Sequence, residues 1–199
     1  MGAPARHRIR FGDGDVLQFR IELDGILPVV WRRVAVSGRA SLQELHGVIQ
    51  RAMGRAADGA YAFDVDGVRY HDPMDDPQPG HEADEISLEM LELHPGAVAF
   101  HIAEHHGEPW HDRIILELVS PRMVGQRLPT CLAGGRAAPP DDCDGATEYR
   151  EMLASLAEPL DPRSAELRSW LPEEFDPEYV DLIAINASLA RTPKHRPAA

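Results

Sequence analysis

Lysine is almost missing from this chain, where Lys194 stands alone beside 19 arginines. Together with the many Ala, Gly and Pro residues, that bias reflects a GC-rich coding sequence and says little about mechanism. Positive charge is scarce as a whole: 20 basic side chains face 33 acidic ones, a net charge of −13. Such a surface repels phosphate backbones, so nucleic acid is not expected as a direct ligand. No run of about 18 apolar residues exists, which excludes a membrane-spanning helix. The basic start MGAPARHRIRFGDGD has no apolar signal-peptide core, and Arg6 stands where myristoylation needs Ser or Thr. A cytoplasmic location is the expectation. Cysteine is limited to Cys131 and Cys143. Read as two reduced thiols in a reducing compartment, they supply at most half of a tetrahedral zinc site, at a spacing foreign to structural zinc. Nor is there a P-loop, a dinucleotide glycine fingerprint, a G-x-S-x-G elbow or an H-E-x-x-H pair.

What is present describes a globular protein, with 43% hydrophobic and 27% charged residues. One domain is expected over 16–190, with a flexible arm at 1–15 and a disordered tail at 191–199. VLQFRIELDG (16–25) and VVWRRVAVSG (29–38) alternate with period two and end in turn residues, the pattern of two strands. Ser41 and Glu44 form a capping box for a helix over 41–54, with Leu42, Leu45, Val48, Ile49, Ala52 and Met53 on one face. YAFDVDGVRY (61–70) reads as two short strands around Asp66-Gly67. The expectation is an α+β fold: a mixed or antiparallel, β-grasp-like sheet of about five to seven strands with a ββαββ start and one crossing helix.

Residues 71–96 hold eight acids and four prolines but no Lys or Arg, so their first half reads as a solvated loop. ISLEMLELH is a short helix-like patch or an edge segment. Segments 97–105 and 111–121 resume strand patterning as an antiparallel pair extending the sheet. A C-terminal helical layer is expected from 146–159, 164–171 and 177–191, the last capped by Asp176 with Pro177 at its first position. Between them, LPTCLAGGRAAPPDDCDGATEY (128–149) reads as a rigid loop over the sheet. Gly134-Gly135 would turn, Pro139-Pro140 would extend, and Asp142 or Asp144 would cap the next helix.

Four ordered motifs resemble one family. Phe19 to Arg33 carry I-x-L-x-G-I-x-P-x-x-W-R-R, and LQELHGVIQRAMG matches L-x-x-L-H-x-V-I-Q-x-A-M-G. CLAGGRAAPPDDCDG followed by Tyr149, and the ending FDPEYVDLIAINASL, complete a likeness to the plasmid pRiA4b Orf-three-like proteins. The resemblance implies an α+β domain found in plasmids, bacterial genomes and some transposable elements, with no established reaction. This copy departs from the pattern after the first helix, where Arg55 replaces a tryptophan and Gly59 a histidine. It departs again at EHHGEPWHD, where Gly107 and Trp110 are kept but Asp112 replaces a histidine. A site built on those two histidines would be altered here.

Three groups of residues are candidates for chemistry. His101, His105, His106 and His111, with Asp112, are the densest run of possible metal ligands, suited to a divalent ion such as zinc. The alternative is a histidine-rich hairpin tip, favoured because no known ligand spacing is present. Arg32 and Arg33 face opposite sides of one strand, and one is expected to pair with Asp141 or Asp142. Recognition of a carboxylate or phosphate is the other reading. A ligand pocket would be bounded by Trp110, Asp112, Arg32 or Arg33, and the loop carrying Arg136, Asp141 and Asp142. His46 reads as a packed histidine at the core edge. The leading reading is a non-enzymatic domain that binds another protein through the acidic loop 72–92 or a sheet edge. The rival is a metal-dependent or small-ligand enzyme using the 101–112 cluster with the Cys131–Cys143 loop.

Overall fold

In a computed structural model, the described residues are 14–57, 59–72, 74, 80–104, 107–140, 142–158, 160–172 and 175–191. The expected arm and tail, His105, His106, Asp141, and residues 73 and 75–79 of the acidic loop therefore lie largely or wholly outside them. Period-two alternation makes β1 (Asp15–Leu23), which turns Leu17, Phe19, Ile21 and Leu23 to one side, each at most 2% exposed. β2 (Trp31–Ser37) runs antiparallel to it, with Val34 opposite Phe19. α1 (Leu42–Ala52) starts at the expected capping box: the Glu44 N–H donates to the Ser41 hydroxyl, and the Ser41 N–H to the Glu44 carboxylate. Its buried face holds the expected apolar residues and two polar ones, His46 and Gln50.

β3 (Tyr61–Val65) and β4 (Val68–His71) form a hairpin that turns at Asp66 and Gly67, both at positive φ. β5 (His81–Glu82) adds parallel to β4, and Leu88–Leu91 is one turn of 3-10 helix. β6 (Val98–Ala103) and β7 (Trp110–Pro121) are the expected antiparallel pair. With β8 (Thr130–Gly135) they complete one mixed sheet in the order β5-β4-β3-β6-β7-β1-β2-β8. The fold is α+β, with eight strands among the described residues where five to seven were expected. Likeness to a β-grasp stops at the order of elements, because the β6–β7 pair separates β3 and β4 from β1 and β2.

The segment 128–149 differs most from expectation. Its first part is not a cover but the edge strand β8, paired with β2 through a bulge at Arg33/Val34. α2 (Ala146–Ala157) begins at Gly145, φ 111°, and neither Asp142 nor Asp144 caps it. Instead Glu108, from the β6–β7 turn, accepts the Thr147 N–H at 3.1 Å. α3 (Pro162–Trp170) follows, capped by Asp161. α4 (Leu182–Leu189) starts later than expected, because Asp181 rather than Asp176 accepts the first free amides, those of Ile183 and Ala184. Asn186 on α4 closes the β8 edge. Its side chain accepts the Cys131 N–H at 2.8 Å and donates to the Cys131 carbonyl at 2.9 Å.

Candidate functional site

Strand pairing sets His101 on β6 directly opposite Asp112 on β7, both facing α1. His101 Nδ1 donates to Asp112 Oδ2 at 3.0 Å, and Arg55 Nη2 donates to the same oxygen at 2.5 Å. From α1, His46 Nδ1 meets His101 Nε2 at 2.9 Å. His46 also stacks on Tyr61, ring centroids 3.9 Å apart, while the Arg55 guanidinium lies 5.6 Å from the Trp110 ring. The result is a relay Arg55–Asp112–His101–His46 in which no member is more than 9% exposed.

Charge decides where its protons sit. Burial opposes ionisation of Asp112, but Arg55 and His101 outweigh it and hold the carboxyl below its ordinary range. A carboxylate only accepts, so His101 must carry its proton on Nδ1. Burial keeps His101 neutral, so its Nε2 is a lone pair that takes the His46 Nδ1–H. Burial, then the neighbouring His101 and Arg55, lowers His46 to about 3. His46 Nε2 is thus a second lone pair at the end of the relay, with no partner among the described residues. Gln50 Oε1, Tyr61 Oη, Asp112 Oδ1, and Nε and Nη1 of Arg55 are likewise buried and unpaired. Orphaned polar atoms are rare in cores, and here the residues carrying them cluster around α1, β3 and β7.

The expected candidates are only partly gathered. Trp110, Asp112 and His101 meet at the relay, whereas His111 is exposed and turned to the other face of β7. Both ring nitrogens of His101 are occupied, so it has no lone pair left for zinc. Among the described residues no group of three metal-ligating side chains is placed to hold an ion. Arg32 does not pair with Asp142. Buried at 2% exposure, it donates instead to the carbonyls of Ala52, Trp31, Gly135 and Arg136, joining the end of α1 to β8. Arg33 pairs with Glu117 on the opposite face. Arg136 binds the Pro28 carbonyl and Glu178, and Asp142 is exposed. Cys131 and Cys143 are free and buried, and burial raises both thiols, Cys143 to about 12. They are protonated and unreactive.

His46, Gln50, Arg55 and Tyr61 were not among the candidates. The available signal was a polar pair at i, i+4 on the apolar face of α1. Arg55 and Asp112, two of the departures from the family pattern, contact each other.

The opposite face of the sheet carries the alternate residues. Phe100 and Ile102 on β6 stand there beside Ile115 and Leu118 on β7 and Leu132 on β8, with Phe100 and Leu118 each 49% exposed. Between them run ion pairs, Arg33 with Glu117 and both Arg20 and Arg113 with Glu22.

Residues 15–184 match the family described as Plasmid pRiA4b ORF-3-like protein. The chain belongs to this family. A relative, uncharacterized protein y4hQ of Sinorhizobium fredii, is 32% identical over 176 residues, spanning 87% of this chain and 90% of that protein. A crystal structure of MM3350, a protein of unknown function from Methanosarcina mazei Go1, superposes with a TM-score of 0.77 at 28% identity. The likeness spans 87% of this chain and 97% of MM3350, so the two chains share one fold over most of their length.

Proposed function

We propose that this chain works by binding another protein and carries out no reaction of its own, as a cytoplasmic accessory of plasmids or other mobile elements. The observation that carries this reading is the contrast in access. The one relay of catalytic type among the described residues is sealed beneath α1, while the outer sheet face presents half-exposed Phe100, Leu118 and Leu132. Groups that act on an outside substrate must reach it, and buried thiols and neutral buried imidazoles do not. The −13 net charge disfavours nucleic acid as the partner. β8 is a poor acceptor for an added strand, since Asn186 occupies the Cys131 backbone groups. The outer face is therefore preferred to this sheet edge as the contact surface.

Access is measurable. Diethyl pyrocarbonate acylates unprotonated imidazoles that it can touch. In the folded chain, mass spectrometry is expected to find exposed His81 and His111 modified and His46 and His101 untouched. Modification of His46 at a rate similar to His111 would show that the relay opens to small molecules, and would move the assignment to a ligand-binding enzyme.

A further inference from the structure

Resting on that reading, we propose that the partner is a second copy of this chain, docked outer face to outer face. The argument is one of charge. Two chains of −13 repel each other as a whole. The outer face does not share that excess of acid. Leaving aside two-residue β5, the strands turn Arg20, Arg33, Arg69 and Arg113 toward it against Glu22, Asp64 and Glu117. Four positive charges against three negative make it a balanced patch on an acidic protein.

A two-fold interface requires a surface that complements itself: apolar at its centre, with both signs of charge around it. Phe100 sits on β6, near the middle of the sheet, paired across to Asp64 on one side and Arg113 on the other. Ile102 and Ile115 lie on the strands of the same central pair. Seven strands at ~4.8 Å spacing span about 30 Å, room for the ~800 Å² per partner that a standard interface buries. Phe100, Ile102, Ile115, Leu118 and Leu132 belong to no part of the inner core cluster. Two such faces would stack as a sandwich, interleaving Phe100 and its aliphatic neighbours.

Sedimentation velocity on the full chain over a wide range of concentration tests this. A monomer–dimer equilibrium is expected, and Phe100→Asp should weaken it about tenfold or more without moving the thermal midpoint measured at concentrations where both chains are monomeric. Should Phe100→Asp fail to fold, Leu118→Asp at an equally exposed position decides. A chain that stays monomeric throughout overturns the inference, and leaves protein binding to a different partner or the face to another occupant. A dimer that survives both substitutions overturns it too, because its interface lies elsewhere. Neither result depends on imidazole labelling, so the two tests fail separately.

Discussion

Arg55–Asp112 and Arg33–Glu117 bring together the same kinds of groups at the same separation, 2.5 Å, on opposite faces of one sheet. The side chains of the first pair are 5% and 0% exposed, those of the second 32% and 22%. Inside, each charge has given up water and depends on the few groups that touch it, the other charge first among them. Outside, water and salt solvate both groups whether or not they touch. What looks like one interaction is therefore a structural requirement beneath α1 and a minor term on the outer face. A period of two along β7 is enough to separate them.

The largest break in that comparison comes from removing the inner cation. Arg55→Met leaves Asp112 buried against uncharged neighbours and is expected to cost about 3–5 kcal/mol, read from urea unfolding. A loss under about 1 kcal/mol would mean that water reaches the carboxylate and that the relay is not sealed.

Acid should come next. The folded-state pKa of His46, about 3, lies below its ordinary value of 6.5, and burial pushes His101 in the same direction. Between those two values the unfolded chain holds protons that the folded chain refuses, so stability is full above about pH 6.5 and falls as pH drops toward 3. A loss on the order of a few kcal/mol by pH 4 is expected, and His46→Gln should flatten the slope. Nuclear magnetic resonance should find both rings neutral at pH 6. Ordinary titration of His46 near 6.5 would sink the relay as described.

The smallest effect is expected outside. In the monomer, at concentrations below the association range, Arg33→Met should change stability by less than about 1 kcal/mol, and less still in high salt. A loss matching that of Arg55→Met would show that the outer face is covered in the folded chain.

How much of this was legible in the sequence depended on how local the signal was. β1, β2 and α1 follow from alternation and from Ser41 with Glu44, all within a few residues. β8 hid because Gly134, Gly135 and a bulge break its alternation, and only pairing with β2 makes it a strand. The cap of α2 was misplaced for the same reason, since Glu108 is 39 residues from the amide it accepts, whereas at α4 two aspartates, Asp176 and Asp181, each offered a local cap and the second one serves. At the site, His46 could be seen on a buried helical face, but not its partner. His101 comes within reach only because β6 and β7 enter the middle of the sheet rather than extending its end. That His101 and His111 lie on opposite faces was hidden too, because only the β6–β7 register shows His111 opposite Ile102 rather than His101.

Asn186 has a consequence for growth by polymerisation. A sheet with open ends can recruit strand after strand through backbone amides and carbonyls, the geometry of a fibril. At the β8 end a side-chain amide already occupies one backbone donor and acceptor in the place a further strand would take. The opposite end is β5, a mere two residues long. Copies that meet flat, as a pair, thus gain no template for a third, and a protein able to associate with itself is kept from lengthening without limit.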